Sequence, residues 1–202
     1  MIEPETQNVV MRSPGLRLAR LAAIHLLAWL TALSLFAAAD SWSALTGLTL
    51  AWTLSIATGV LAGLATTTLV HEWFHLLGAR LCAATYDIPL RVGLFVYDWS
   101  FDKNTLRQFL TMSVAGSVGG ALSVALLWIS LPADTAGRAA LLAAALASFA
   151  FGSAVEWPVL RRARHSGDPL GELSKIDARV LGRCFAIALL VGVAGFLVWC
   201  NA

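Results

Sequence analysis

Along this chain apolar residues gather into five long blocks, at about 18–39, 44–79, 109–131, 139–160 and 181–200, parted by short polar stretches. Each block supplies the roughly 20 apolar residues that a membrane-crossing helix needs. The pattern predicts an all-α integral membrane protein: one polytopic domain of about five transmembrane helices, preceded by a polar tail at 1–17. The second block is too long for a simple crossing, because a helix through all of it would run about 54 Å against a hydrocarbon core of about 30 Å. It must tilt, break near Gly59 or Gly63, or begin outside the bilayer. Between the second and third spans the period changes. Ile88, Leu90, Val92, Leu94 and Val96 alternate with Pro89, Arg91, Gly93, Phe95 and Tyr97. Alternation of this kind predicts a strand, and Pro89 makes it an edge or an irregular one. Such an edge cannot face lipid, so it is expected at the membrane surface or against protein.

Composition agrees with the blocks. Hydrophobic residues make up 58% of the chain and charged residues only 13%, about half the usual share for a soluble domain. A net charge of +2 is too small to suggest nucleic acid as a partner; the bilayer is the expected surrounding. Cys82, Cys184 and Cys200 are too few and scattered for a disulfide framework or a Cys-based zinc site. The N-terminal segment is polar and the first apolar run is long enough to remain as an anchor, so no cleavable signal is expected. Of the 14 Lys and Arg residues, all except Arg138 flank one side of the predicted bundle. That asymmetry predicts a cytoplasmic N-terminus and an external C-terminus. Trp42, Trp128, Trp157 and Trp199 fall near span ends, as interfacial aromatics do.

Within the second block the sequence reads "LVHEWFHLLGAR". Ionisable groups at membrane depth are costly and point to function. His71 and His75, four residues apart, share one helix face and can aim two imidazoles at one metal ion, with Glu72 beside them. Two histidine ligands, a carboxylate base and an open position for water form the zinc-hydrolase arrangement. Zinc lowers the pKa of bound water, and Glu72 has the position to take its proton. With Arg80 as the inner boundary, helical rise puts His75 about 7 Å and His71 about 13 Å inside it.

A third protein ligand is required. The candidates are Glu156, His165, Asp168, Glu172 and His25. His25 lies on an apolar span, where a hydrogen-bonded structural role fits best. His165 follows "RRAR" and reads as interfacial. Asp168 opens "DPLGEL" and is also a natural helix N-cap. Glu156 is the only acid inside the fourth span.

Three stretches resemble the site-2 protease family of intramembrane zinc metallopeptidases. "VHEWFHLLGARL" is similar to that family's HExxH helix. "YDIPLRVGLFVYDW" stands where the family has a membrane-edge sheet. "FLTMSVAGSVGGALSVALLW" resembles the small-residue start of its next span, with Gly119 or Gly120 where Asn is usual. The resemblance implies a metalloendopeptidase that cleaves membrane-spanning proteins near the cytoplasmic face of a bacterial cell (inner) membrane. It also implies Asp168 as the third zinc ligand beside His71 and His75, although the flanking residues depart from the family's Asn-Pro-Asp-Gly pattern. Glu156 stays the alternative ligand. On the family's plan the strand at 88–97, through Leu90, Val92 and Leu94, would hold an unwound substrate segment. The competing reading is a membrane protein that binds metal without proteolysis, as a scaffold or regulator; an intact Glu72 counts against it. Four histidines are too few for a two-metal oxidase, and a chain without repeats gives a transporter little support.

Overall fold

The computed structural model describes residues 13–200. Its elements are α1 (Pro14–Thr46), α2 (Thr49–Leu81), β1 (Tyr86–Asp87), β2 (Asp98–Trp99), α3 (Leu106–Ser130), α4 (Ala136–Ser166), α5 (Pro169–Leu173) and α6 (Ala178–Cys200). Five of the helices are long and apolar enough to cross a membrane, so this is a multi-pass, all-α membrane protein with one very small sheet. The predicted tail shortens, because α1 already begins at Pro14; the part of the tail before Ser13 lies outside the described residues.

The long second block resolves into two facts. The α1–α2 turn sits at Gly47, whose φ of 64° is left-handed and whose N–H bonds Ser43 O at 2.9 Å. From Thr49 onward α2 is a single helix of 33 residues, unbroken at Gly59 and Gly63. Those glycines serve packing instead. A Cβ on Gly59 would meet the carbonyl oxygen of Gly137, and one on Gly63 that of Leu141, so their absence lets α2 and α4 approach backbone to backbone. At about 50 Å, α2 still exceeds the bilayer core and must tilt or stand proud of it.

Helix α2 is the centre of the bundle, packed on α1, α3 and α4, while α6 leans on α4. Three consecutive threonines tie it to three different neighbours. Thr66 accepts from Trp29 of α1 at 2.8 Å, Thr67 accepts from Ser123 of α3 at 3.1 Å, and Thr68 bonds Ser148 of α4 at 2.9 Å. Where no water competes, such pairs fix the rotation of each helix about its axis. At the far end Asp40, which is buried, accepts from Ser55 and Thr135 at 2.8 Å each and pairs with Arg138 at 3.1 Å. Arg138, the basic residue that stands apart from the rest, is therefore neutralised within the protein.

The strand expected over 88–97 is not there. Pairing is confined to Tyr86 with Trp99 and Asp87 with Asp98, and residues 88–97 form the irregular loop of that hairpin. The alternation does not mark a buried face: Ile88 and Val96 are buried at the loop's ends, while Leu90, Val92 and Leu94 are exposed. Side chains of the bundle hold the loop from within. Arg17 donates to Ile88 O at 2.6 Å, and His25 Nε2 bonds Gly93 O at 2.9 Å. Backbone groups spent on these partners, with Pro89 and Gly93 in the run, leave no ladder. Asn104 braces the hairpin's base, bonding both the N–H and the C=O of Thr85 at 2.7 and 2.6 Å.

Candidate metal centre

His71, Glu72 and His75 lie on α2 facing α3 and α4, and their candidate ligand atoms all fall within 4.8 Å of one another. The fourth member comes from α4. Glu156 Oε1 is 2.9 Å from His71 Nε2 and 2.8 Å from His75 Nε2, and the two Nε2 atoms are 3.0 Å apart. Helix α3 supplies the support. Met112 O lies 3.0 Å from His75 Nδ1, and Ser117 Oγ donates to Glu156 Oε2 at 3.0 Å. Gly116 is what lets α3 come this close, since a Cβ there would overlap the His75 ring. Gly119 abuts Phe74 in the same way. The small-residue run of the third span thus has a local purpose: it seats α3 on the histidine helix.

These hydrogen bonds decide the tautomer of His75. A carbonyl only accepts, so His75 Nδ1 carries the proton given to Met112 O, and in the neutral imidazole Nε2 presents a lone pair. That lone pair faces a carboxylate oxygen at 2.8 Å and a second imidazole nitrogen at 3.0 Å. Two imidazole nitrogens and a carboxylate oxygen converging this closely call for positive charge among them, either as protons on the imidazoles or as a metal cation. The donor set, two imidazoles and a carboxylate, suits zinc. Donors of one tetrahedral zinc shell stand roughly 3.3 Å apart, so the triangle is slightly contracted but of the right size. Both supporting bonds are of the outer-shell kind that orients metal ligands.

Asp168 is not part of this group. It is exposed, and its Oδ1 caps the short helix α5 by accepting from Gly171 N at 2.9 Å. The reason is the length of α4. The pattern predicts an end at residue 160, but the helix continues to Ser166, already about 15 Å along its axis beyond Glu156. An aspartate after that point is carried away from the histidines. Glu156, the alternative, is the carboxylate that stands against both histidines. The other candidates are accounted for elsewhere. Glu172 pairs with Arg162 at 2.9 Å and Lys175 at 2.7 Å, which cover it at the protein's rim. The Lys175 ammonium first, and the Arg162 guanidinium with it, hold its carboxyl below the ordinary value. His165 is exposed. His25 accepts from Trp73 Nε1 at 3.2 Å through Nδ1, so its Nε2–H donates to Gly93 O; it is structural, as its apolar span suggested.

A cavity of about 380 Å³ opens beside the cluster, bounded by Glu72, His75 and Glu156 on one side and by Tyr97, Trp99 and Phe109 on another. Leu90, Val92 and Leu94 do not line it. The aromatic residues of the hairpin do, and burial pushes the Tyr97 hydroxyl well above its ordinary pKa, so it stays a neutral phenol. Compared with protein-family models, curated proteins and solved structures, the chain matches none.

Sequence reasoning missed Ser117, Gly116 and the hairpin aromatics. Ser and Gly look alike whether they serve a site or a helix contact. The aromatics carried a signal, a cluster at Tyr97, Trp99 and Phe101, that the alternation just before them obscured.

Proposed function

We propose that the protein is a membrane-embedded zinc metallopeptidase in which His71, His75 and Glu156 hold the metal and Glu72 is the general base. The observation that carries this reading is the convergence of Glu156 Oε1 on the two Nε2 atoms, at 2.9 and 2.8 Å, beside a further carboxylate. A site built only to hold metal has no need of Glu72. Bound zinc supplies a Lewis acid and a water acidified toward neutral pH. Glu72 stands where it would take a proton from the attacking water as the oxygen of that water bonds the substrate carbonyl carbon. It returns the proton to the amide nitrogen as the carbon–nitrogen bond breaks. His75 is kept in the correct tautomer by Met112 O, and Glu156 is kept in orientation by Ser117. The apolar, aromatic cavity next to Glu72 receives a large side chain of the substrate.

The resemblance to the site-2 protease family supports a membrane-spanning protein as substrate. The reading departs from that family's pattern in its third ligand, a glutamate on the fourth span in place of the later aspartate. Basic residues at the start of α1, the end of α2, the start of α3, the end of α4 and the start of α6 lie on one side of an up-and-down bundle. They support a cytoplasmic location for that side, and Arg138 is not a true exception, being paired with Asp40 and with Asp134 at 2.7 Å. Accordingly, Arg164→Cys should resist an impermeant thiol reagent applied outside intact cells, over the background of the native cysteines. Rapid modification would reverse the orientation.

Metal content and turnover test the site together. Glu156→Gln is expected to lose most bound zinc, whereas Asp168→Asn should keep it, since Asn caps a helix nearly as well as Asp. Glu72→Gln should retain zinc while cleavage of single-span substrates falls by about 10²–10⁴-fold. Zinc retained in Glu156→Gln and lost in Asp168→Asn would return the third ligand to Asp168. Near-native cleavage by Glu72→Gln would end the hydrolase reading.

A further inference from the structure

At the end of α4 away from Arg138, a groove of about 1130 Å³ runs between α3 and α4, and nothing in the metal site accounts for it. Leu110 and Val114, one turn apart on α3, form one wall; Trp157, half exposed, and Leu160 form the other. The mouth is cationic. Arg161, Arg164 and His165 follow Trp157 along the same face of α4, at spacings of four, seven and eight residues. All three are exposed and make no ion pair among the described residues. Arg162, which also borders the groove, differs in having Glu172 on its Nε at 2.9 Å. No acidic side chain lines the groove.

We infer that this groove binds one molecule of an anionic phospholipid, with the phosphate among Arg161, Arg164 and His165 and an acyl chain along Leu110, Val114 and Trp157. The combination selects the occupant. An unneutralised cationic mouth above an apolar wall, at the end of a membrane-crossing helix, matches an amphiphile with an anionic head. A free anion would leave the wall unused, and a zwitterionic lipid would bring, beside its phosphate, an ammonium that the cationic mouth repels. Trp157, near the end of the apolar run of α4, is of the residue type that meets headgroups at an interface. The inference does not depend on the hydrolase reading.

Native mass spectrometry of the detergent-purified protein, titrated with phosphatidylglycerol and phosphatidylcholine of matched chains, provides the test. Phosphatidylglycerol should bind at least about tenfold better. The double variant Arg161→Gln/Arg164→Gln should lose about ten- to thirtyfold in that affinity, near the usual contribution of two interfacial cations. Arg179→Gln/Arg183→Gln removes the same charge from α6 and should lose little. Equal binding of the two lipids, equal losses in the two double variants, or no loss in the first would each overturn the proposal. A second measurement needs no substitution: phosphatidylglycerol carrying a photoreactive group in its acyl chain should label the peptide around Leu110 and Val114. Labelling confined to other surfaces would overturn it as well.

Discussion

Replacing Gly116 by alanine adds one methyl group at the closest approach of α3 to the metal site. That methyl would sit within 2.5 Å of His75 Nδ1 and overlap the rest of the ring. The imidazole cannot yield freely, because its Nδ1 is tied to Met112 O at 3.0 Å. Either the ring turns and loses that bond, or α3 moves away. Overpacking of this kind costs about 1–3 kcal/mol, which corresponds to roughly 5- to 150-fold in zinc affinity if His75 bears it. Helix propensity works in the other direction, since alanine is favoured over glycine in a helix by about 1 kcal/mol, so a loss cannot be blamed on the backbone. Two neighbouring positions serve as controls. A Cβ at Gly119 would meet Phe74, with Cβ at 2.5 Å, and one at Gly120 would have Phe149 at 3.0 Å and His71 Nδ1 only at 3.5 Å. Gly119→Ala should therefore lower the unfolding temperature in detergent while sparing zinc affinity, and Gly120→Ala should change affinity little. Competition with a chromophoric chelator measures all three. If Gly116→Ala holds zinc as tightly as the native protein, or if Gly119→Ala loses more, His75 is not positioned by α3 as described.

Two further outcomes concern the frame around the site. Asp40→Leu leaves Arg138 without its buried partner and removes the acceptor for Ser55 and Thr135; it should cost about 2 kcal/mol in thermal unfolding, below the full buried-pair value because Arg138 is 31% exposed. Zinc content should not change, and its loss would mean that the clasp communicates with the site. Glu172 titrates below its ordinary value of 4.5 when folded, so its hold on Arg162 and Lys175 is fully present above that pH and is lost as the pH falls through the lower folded value. Amide exchange in residues 168–176 should thus stay slow down to about pH 4.5 and quicken below it, whereas Glu172→Gln should exchange fast even at pH 7. Unchanged exchange in that variant would refute the role given to the pair.

Much of the fold was legible because a bilayer makes strict demands. Long apolar runs had to be helices, and all five are present. Their ends were harder to read, since polarity marks where lipid stops and not where hydrogen bonding stops. The α4 helix shows this best: "RRARHS" continues the helix beyond the apolar run until Gly167 closes it with a φ of 75°. That extra length is what removed Asp168 from the site. The loop at 88–97 failed for a different reason: alternation is blind to whether a partner strand exists, and only Ile88 and Val96 of its five apolar members are buried. Of the site, the local pair His71 and His75 was plain from spacing, and Glu72 with it. Glu156 stands far along the chain, and sequence marked it only as the one acid inside its span; its approach to both histidines comes with the packing of α4 on α2, where Gly152 lies against the His71 ring.

The two buried charge clusters of this bundle can be set against each other. At Asp40 donors meet acceptors: Ser55 and Thr135 on one oxygen, Arg138 on the other, and the group is complete without any addition. At Glu156 one oxygen is satisfied in the same way, by Ser117. Its other oxygen faces two imidazole nitrogens, one of which has no proton to give when its ring is neutral, and a cavity lies alongside. Both clusters carry the desolvation cost of burial; the first recovers it from a permanently charged arginine, the second only through a protonated histidine or a bound cation. A bundle able to neutralise Asp40 so fully has the means to neutralise Glu156, by placing a lysine or arginine opposite. It has two imidazoles there instead, and a second carboxyl group, Glu72, beside them. That contrast within one chain is the strongest physical reason to regard the second cluster as a place for a cation and for chemistry, and the first as a clasp.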